Sequence, residues 1–267
     1  MALIEVQDIV LDCERSGEGP PLLLIMGMSG TALHWGEPFL GELRRDFEVL
    51  AYDHRGVGSS SRLEGPLTIA ELARDAAGLL DALGIASAHV LGISMGGMVA
   101  QELVLARPEL VRTLTLGCTY CGGPGSSLTP PEVFQRLAAP MMSGDREGSL
   151  RVAWEINVSP QMARDERARD RYMQIAQTRA VAVPVIMAQL QAIAGHDTSA
   201  RLGDVTAPTL VVHGTEDLLL APENGRLIAS VIPGARLEII DGAGHLFFWE
   251  QPQRSADLVR SLAAVAA

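Results

Sequence analysis

The chain has 267 residues, of which 48% are hydrophobic, and its 32 acidic residues outnumber 21 Lys and Arg to give a formal net charge of -11 at pH 7. This length suits one α/β core that carries an insertion. The acidic excess is spread without a long block of one sign, so it favours solubility and excludes a basic surface for nucleic acid or an anionic membrane.

Targeting and redox signals are weak. Residues 1–5 (MALIE) lack a basic segment followed by an apolar one, and later apolar runs are too short for a bilayer, so we expect a cytoplasmic, unanchored protein. The three cysteines Cys13, Cys118 and Cys121 are odd in number, which argues against a disulfide framework. Residues 118–121 (CTYC) end a strand instead of opening a helix, so we favour a structural role over a redox one.

The first half of the chain alternates predicted strands and helices. We predict an antiparallel pair at 4–6 and 9–15, strands at 21–26, 48–52, 88–91 and 111–117, and helices at 33–45 and 68–83. Thr68 and Glu71 have the spacing of a capping box, and Gly84 is a natural end for that helix. Such a βα repeat predicts the α/β class, with a mostly parallel sheet that is covered on both faces.

This alternation stops after residue 117. The next segments read as four helices, at 130–142, 149–157, 161–179 and 181–194, and the strand pattern resumes at 208–213 and 235–240. We therefore predict a discontinuous core domain (1–118 and 201–267) that is interrupted by a helical cap (119–200).

Ser94 lies in the string GISMG at residues 92–96, between a strand-like run and a helix-like run. A sharp strand-to-helix turn lifts a serine hydroxyl clear of the sheet edge, and glycines two residues away on each side relieve the crowding around it. The start of the following helix directs its unpaired amides at any oxyanion that forms beside the serine. The context therefore predicts a nucleophile, which needs a base and an orienting acid.

Asp217 and His245 follow Ser94 in that order, each after a strand-like run. Glu216 and Asp241 are neighbours that offer the same carboxylate chemistry, but Asp217 matches the expected position after the resumed strand. Only His245 combines a Gly-flanked loop with this chain order. We interpret the remaining histidines as loop or core residues; they are His34, His54, His89, His196 and His213.

Four strings together, 92–97 (GISMGG), 52–59 (YDHRGVGS), 212–217 (VHGTED) and 242–245 (GAGH), resemble the α/β-hydrolase superfamily over nearly the whole chain. The chain is similar to its small capped members, which include carboxylesterases, 3-oxoadipate enol-lactonases and cofactor-free haloperoxidases. The resemblance implies an eight-stranded, mostly parallel sheet flanked by helices, with the cap inserted after the sixth strand.

The resemblance also implies the role of each site residue. Ser94 becomes the nucleophile, His245 the general base and acid, and Asp217 the orienting carboxylate. The backbone N–H groups of Met28 and Met95 form the oxyanion hole, although many relatives have His-Gly where this chain has Met-Gly at 26–27. No metal and no organic cofactor is implied.

Two further expectations come from the same comparison. Asp53 and Arg55 are expected to form a structural ion pair. For the substrate pocket we predict Gly27, Trp35, Met142 and Trp154, because methionine and aromatic side chains in the cap and near the oxyanion loop suit an adaptable apolar pocket.

The expected activity is hydrolysis of a small to medium, largely apolar ester or lactone. That small molecule is the expected partner, and the sequence does not predict an oligomeric state. Hydrolysis of a carbon–carbon bond in a diketone remains an alternative because it uses the same triad. Perhydrolase or haloperoxidase chemistry is a second, although residues 28–29 lack the proline typical of it. A ligand receptor is disfavoured by the retained triad, and Ser94 disfavours epoxide hydrolases and haloalkane dehalogenases, which use a carboxylate nucleophile.

Overall fold

The computed structural model describes residues 2–266 and contains one eight-stranded sheet. Its strands are β1 (Ala2–Val6), β2 (Ile9–Ser16), β3 (Pro21–Ile25), β4 (Glu48–Tyr52), β5 (Ala88–Ile93), β6 (Val111–Gly117), β7 (Thr209–Gly214) and β8 (Arg236–Ile240). The spatial order is β1-β2-β4-β3-β5-β6-β7-β8. β2 pairs antiparallel with β1 and β4, and the other neighbours are parallel. The predicted α/β class and sheet are confirmed.

Helices cover both faces of the sheet. They are α1 (Glu37–Leu43), α2 (Ile69–Ala82), α3 (Met95–Ala106), α4 (Pro131–Met142), α5 (Arg146–Asn157), α6 (Glu166–Thr178), α7 (Val183–Ala194), α8 (Pro222–Val231), α9 (Phe247–Glu250) and α10 (Pro252–Ala263). Side chains alternate between faces along a strand, so Leu23 packs in the core beneath α2, α3 and α8, whereas Leu22 and Leu24 pack beneath α1 and α10. Within residues 2–266, no helix has the length and apolar character needed to cross a bilayer.

The helix predicted at 33–45 is divided in two. Residues 32–35 form a 3₁₀ turn and α1 starts after Gly36, whose φ of 73° lies in the left-handed region. A Cβ there would lie 3.3 Å from the Trp249 ring. The later boundaries agree better with the sequence: Thr68 caps α2 by accepting a bond from the Glu71 N–H at 3.1 Å, and the Glu71 carboxylate accepts one from the Thr68 N–H at 3.1 Å.

The four helices α4 to α7 lie between β6 and β7, where the insertion was predicted. We propose that residues 119–200 act as the cap and use that name for them below. The chain after β6 leaves the sheet edge at Cys118, a non-glycine residue with a φ of 45°. All three cysteines are buried thiols.

The predicted ion pair between Asp53 and Arg55 is wrong. Arg55 lies against α2 and donates to Asp75, with Nε 2.7 Å from Oδ2. Asp53 instead lies fully buried beneath the cap, where its carboxylate accepts bonds from the Ala32 N–H at 2.7 Å and from Arg179 at 2.9 Å. Each side chain therefore has a partner from a different, distant segment, and sequence proximity does not report those partners.

Candidate active site

Ser94 occupies the turn between β5 and α3 with a φ of 53° and a ψ of -124°. This conformation is strained for a residue with a Cβ and is retained because the surrounding packing enforces it. A Cβ at Gly92 would lie 2.2 Å from the Gly96 carbonyl oxygen, and one at Gly96 would lie 2.0 Å from the Ile25 carbonyl oxygen. The turn that presents the serine therefore requires both glycines.

The Ser94 side chain faces a cavity of about 150 Å³, which we call the reaction cavity. His245, Gly27 and Met28 also line it. Within the described residues the Ser94 hydroxyl makes no hydrogen bond to the His245 ring. Such a contact is often long before a substrate binds, so shared access to one cavity is the relevant observation.

His245 and Asp217 form a direct pair. The ring donates from Nδ1 to the Asp217 Oδ2 at 2.7 Å, and the other oxygen, Oδ1, accepts bonds from the N–H groups of Leu219 at 2.9 Å and Leu220 at 3.0 Å. Burial alone would raise the pKa of the Asp217 carboxyl, but the charge of His245 and the hydrogen bonds from His213 and His245 hold that pKa well below its usual range. Asp217 therefore stays ionised at neutral pH.

The ionised carboxylate sets the tautomer of His245. Because Asp217 accepts a hydrogen bond from the Nδ1–H group, Nε2 carries the free lone pair. Over residues 2–266 this nitrogen has no hydrogen-bond partner, yet it keeps accessible surface. The arrangement places a nitrogen that can act as a base on the wall of the reaction cavity.

His213 is a second histidine at the same carboxylate, and the sequence analysis assigned it to the core. It is fully buried, donates from Nε2 to the Leu220 carbonyl at 2.8 Å, and lies 3.2 Å from the Asp217 Oδ2. Leu220 bonds to both His213 and Asp217: its carbonyl accepts from His213, and its N–H donates to Asp217. The spacing of four residues between His213 and Asp217, across a glycine, is the sequence signal for this support.

One group of metal-ligand atoms lies at the site. Within the described residues, the Sγ of Cys118, a carboxylate oxygen of Asp217 and a ring nitrogen of His245 lie within 4.8 Å of one another. Burial raises the pKa of the Cys118 thiol well above its usual value, and Asp217 and His245 already bond to each other. A protonated thiol is a poor ligand, so the donor set does not favour a metal ion.

Residues 26–30 contain Met28, one of the two predicted oxyanion-hole residues, and lie beside the serine; we call them the oxyanion loop. A Cβ at Gly27 would lie 3.1 Å from the Ser94 Cβ, which shows how closely the loop backbone approaches. In the part of the chain that the structure describes, the N–H groups of Met28 and Met95 have no hydrogen-bond acceptor. Two unpaired amides near the serine can donate hydrogen bonds to a developing oxyanion.

The loop is held from two sides. His54 donates from Nε2 to the Met26 carbonyl at 2.9 Å, from the core side. Ser29 has a φ of 57°, and its N–H donates to the Oε1 of Gln189, on the cap helix α7, at 2.9 Å. Part of the oxyanion loop geometry therefore depends on the cap.

Three of the four predicted pocket residues are wrong. Gly27 lines the reaction cavity, but Trp35 is fully buried against Phe39 and Phe248 because its ring points from the 3₁₀ turn into the core. The Trp154 ring is also fully buried, since it packs on neighbouring aromatic rings instead of facing the cavity. Met142 is the last residue of α4 and is 85% exposed.

Other side chains provide the wall instead. Besides the residues already named, the reaction cavity is lined by Met26, Ser29, Gly30, His34, Ile93, Leu137, Ala153, Asn157, Tyr172, Leu219 and Leu246. His34 and Tyr172 pack edge to face, with ring centroids 5.7 Å apart. The two residues are 138 positions apart in sequence, and no sequence pattern predicts the contact between their rings.

Comparison with known proteins identifies the family of this chain. Residues 20–252 match the family model of the α/β-hydrolase fold. The chain belongs to the α/β-hydrolase family. Its relatives include a putative carbamate hydrolase, RutD, of Azorhizobium caulinodans, which is 32% identical over 244 residues that cover 90% of this chain and 89% of the relative.

Solved structures of family members are similar over almost their whole length. A hydrolase from Pseudomonas aeruginosa PA01 has a TM-score of 0.84 and 32% identity, and the match covers 98% of this chain and 97% of that one. An enol-lactonase from Burkholderia xenovorans LB400 has a TM-score of 0.86 and 25% identity, with coverage of 98% and 100%. The family and these relatives make the chain a hydrolase.

Proposed function

We propose that this α/β-hydrolase is a serine hydrolase that cleaves a small to medium, largely apolar carboxylic ester or lactone through an acyl-enzyme on Ser94. The observation that carries the proposal is the meeting of Ser94 and the Asp217–His245 pair at one cavity, beside two unpaired backbone amides. Similarity to a hydrolase and to an enol-lactonase of the same fold supports it.

The residues suit a two-step acyl transfer. The Ser94 oxygen attacks the ester carbonyl while the His245 Nε2 takes the hydroxyl proton, and the N–H groups of Met28 and Met95 stabilise the resulting oxyanion. The tetrahedral intermediate then collapses: the bond to the alcohol oxygen breaks, and the proton on His245 passes to that oxygen.

Deacylation repeats these steps with water as the nucleophile and Ser94 as the leaving group. His245 takes a proton from a water molecule, whose oxygen attacks the acyl carbonyl. Collapse releases the carboxylic acid and returns the proton to Ser94. Asp217 remains ionised throughout and stabilises the imidazolium that forms in each half of the cycle. The sequence of steps uses only groups of the chain, the substrate and water.

The test combines turnover with covalent labelling. Ser94→Ala should lower kcat on nitrophenyl acetate and butyrate by about a thousandfold or more, because the nucleophile is lost and the base has no hydroxyl to activate. A fluorophosphonate should add its mass to the peptide that contains Ser94 in the wild-type protein. Ser261→Ala, an exposed serine on α10, is the matched control and should behave as wild type.

Undiminished turnover by Ser94→Ala, or labelling at another residue with Ser94 unmodified, would contradict the proposal. A panel that adds lactones and a diketone separates the alternatives left open by the sequence. If only the diketone is cleaved to an acid, the activity is carbon–carbon bond hydrolysis by the same residues and not ester hydrolysis.

A further inference from the structure

A second cavity adjoins the reaction cavity inside the cap, and we call it the cap chamber. It has a volume of about 430 Å³. Four residues line both spaces: Ser29, His34, Ala153 and Tyr172. The shared residues place the two cavities side by side, with His34 and Tyr172 at their boundary.

The size of the two spaces indicates which part of a substrate each one takes. Ligand sites commonly enclose about 300–1,000 Å³, and the 150 Å³ of the reaction cavity holds little more than the reacting ester group. The cap chamber supplies the missing volume. We therefore expect one arm of the substrate to extend from Ser94 into the cap.

The chemistry of the cap chamber suits an apolar arm. Small apolar side chains from the end of α6, from α7 and from the segment between them form its wall; they include Ala176, Ala180, Ala182, Val183 and Ile186. The far end reaches Gly144 and Arg146, both exposed, so the chamber opens to solvent there. An unbranched chain fits this shape without meeting a buried charge.

His34 places one polar atom at the junction of the two spaces. Its Nδ1 accepts a bond from the Thr31 N–H at 3.0 Å. A backbone N–H can only donate, so Nδ1 carries no proton and the hydrogen of the neutral ring is on Nε2. Burial lowers the pKa of His34 to about 4, so the ring stays neutral at pH 7.

The Nε2–H group is available to a ligand. Among residues 2–266 it has no hydrogen-bond partner, and it differs from enclosed unpaired atoms such as the Trp35 Nε1 because it keeps accessible surface. His34 is a buried residue, with a relative exposure of 8%. A ligand acceptor at this point therefore gains a hydrogen bond without displacing a protein partner.

The packing around His34 fixes the direction of this donor. The His34 carbonyl accepts a bond from the Trp249 indole N–H at 2.7 Å, and the imidazole lies against the Tyr172 ring at an interplanar angle of 75°. The bond from Trp249 holds the His34 backbone, and the contact with Tyr172 and the bond from Thr31 restrict rotation of the ring. The donor is therefore preorganised, which limits the entropy lost when a ligand binds.

We propose that the His34 Nε2–H is a specificity-determining donor for an acceptor oxygen on the substrate arm that runs from Ser94 into the cap chamber. The substrate class is an ester or lactone whose apolar arm carries a carbonyl or ether oxygen near the reacting group. This inference rests on the proposed function, because it takes the reaction to occur at Ser94.

The first test compares matched substrates. A series of nitrophenyl esters with an ether oxygen at successive chain positions is compared with all-carbon esters of equal length, and each kcat/KM is divided by the rate of hydroxide-catalysed hydrolysis. At the best position, the wild-type protein should prefer the oxygen-containing ester by about tenfold, the size expected for one buried hydrogen bond. His34→Phe should reduce this preference to about one.

Two variants separate the donor from mere packing. In His34→Gln, the side-chain oxygen can still accept from the Thr31 N–H and the amide can still donate, so part of the preference should return. Tyr172→Phe removes the neighbouring hydroxyl and should leave the preference intact. A preference that is lost in Tyr172→Phe and kept in His34→Phe would overturn the assignment to His34. Thermal unfolding verifies that each variant is folded.

The second test blocks the cap chamber. Ala176→Phe fills it with a ring and should move the preferred acyl or alkyl chain to shorter lengths, measured as kcat/KM across the chain-length series. Gln174→Phe adds the same ring to an exposed position of α6 and is the matched control. An unchanged chain-length profile in Ala176→Phe would overturn the route through the cap.

The results test the role of His34 separately from ester hydrolysis at Ser94. If the wild-type protein hydrolyses the esters and Ser94→Ala does not, the proposed function holds. Equal rates for matched esters with and without oxygen would then overturn the role of His34 alone. If no ester in the series is hydrolysed, the proposed function fails, and the inference about the substrate fails with it.

Discussion

At the scale of single residues, Asp217 makes a contact with His245 that the two alternative acids, Glu216 and Asp241, do not. Its carboxylate bonds to the His245 ring, whereas Glu216 is exposed and Asp241 lies near the Thr215 hydroxyl. A carboxylate at Nδ1 selects the tautomer with a free Nε2 and stabilises the charged ring. Position in the turn after β7, not the presence of acid, therefore decides which residue serves His245.

Asp217→Asn should lower kcat by about ten-thousandfold with little loss of stability. The amide can donate to Nδ1, which favours the tautomer whose Nε2 carries a proton and cannot act as the base. Steady-state kinetics on nitrophenyl butyrate measure the loss, and circular dichroism follows folding. Glu216→Gln is the matched control and should keep wild-type activity. A loss below about tenfold in Asp217→Asn would transfer the orienting role to another acid.

The sequence identified candidate site residues by type and order, but not the pocket wall. Ser94 and His245 lie in turns whose glycines and neighbouring runs are local signals. The pocket wall depends instead on the direction of each side chain. The Trp154 ring is enclosed by other aromatic rings, whereas His34 lines the reaction cavity. Which way a ring points depends on packing between segments that lie far apart in sequence, and no local pattern reports it.

At the scale of elements, periodic segments were predicted well and the break at Gly36 was missed. A glycine inside a helical pattern costs about 1 kcal/mol and is often tolerated, so the pattern alone does not show that Gly36 turns the chain. The hydrogen bond between the oxyanion loop and α7 could not be predicted from the sequence either. Gln189 reaches the Ser29 N–H across 160 positions of sequence, and its Nε2 is buried without a partner among the described residues.

Gln189→Leu should lower kcat by about tenfold and change KM little. Without the amide oxygen, the Ser29 N–H loses its acceptor, the loop relaxes, and the adjacent Met28 N–H no longer points at the developing oxyanion. Affinity for an alkyl boronic acid, which forms a tetrahedral adduct on serine, should fall in parallel. These two readouts distinguish positioning of the loop from a general loss of stability.

Gln191→Leu, on an exposed part of the same helix, is the matched control. It makes the same chemical change without touching the oxyanion loop, so its kcat and its boronic acid affinity should match wild type. If Gln189→Leu keeps the wild-type kcat and boronic acid affinity, α7 does not position the oxyanion loop.

At the scale of the whole molecule, one arginine joins the cap to the sheet. Arg179 follows α6 and donates to the Asp12 Oδ2 at 2.8 Å and to the Asp53 Oδ2 at 2.9 Å. Asp12 is on β2, and Asp53 follows β4 and also holds the Ala32 N–H beyond the oxyanion loop. Two buried carboxylates therefore share one cation that the cap provides, which couples folding of the cap to that of the core.

Arg179→Met should lower the free energy of unfolding by about 3 kcal/mol, since removing one partner leaves buried carboxylates without a compensating charge. Burial already raises the pKa of Asp53 despite Arg179, and loss of the cation should raise that pKa further. A folded-state pKa above the unfolded value gives stability that is present at low pH and lost as pH rises, so the deficit relative to wild type should shrink as the pH falls.

Urea unfolding, followed by tryptophan fluorescence and by circular dichroism, measures both effects. Arg171→Met, at an exposed position on α6, removes the same charge without disturbing the buried carboxylates and should cost less than about 0.5 kcal/mol. Coincident transitions by the two probes are expected because the cap and the core share this ion pair. A variant at Arg179 as stable as wild type, or one whose deficit grows on acidification, would show that the arginine does not neutralise Asp12 and Asp53 in the folded protein.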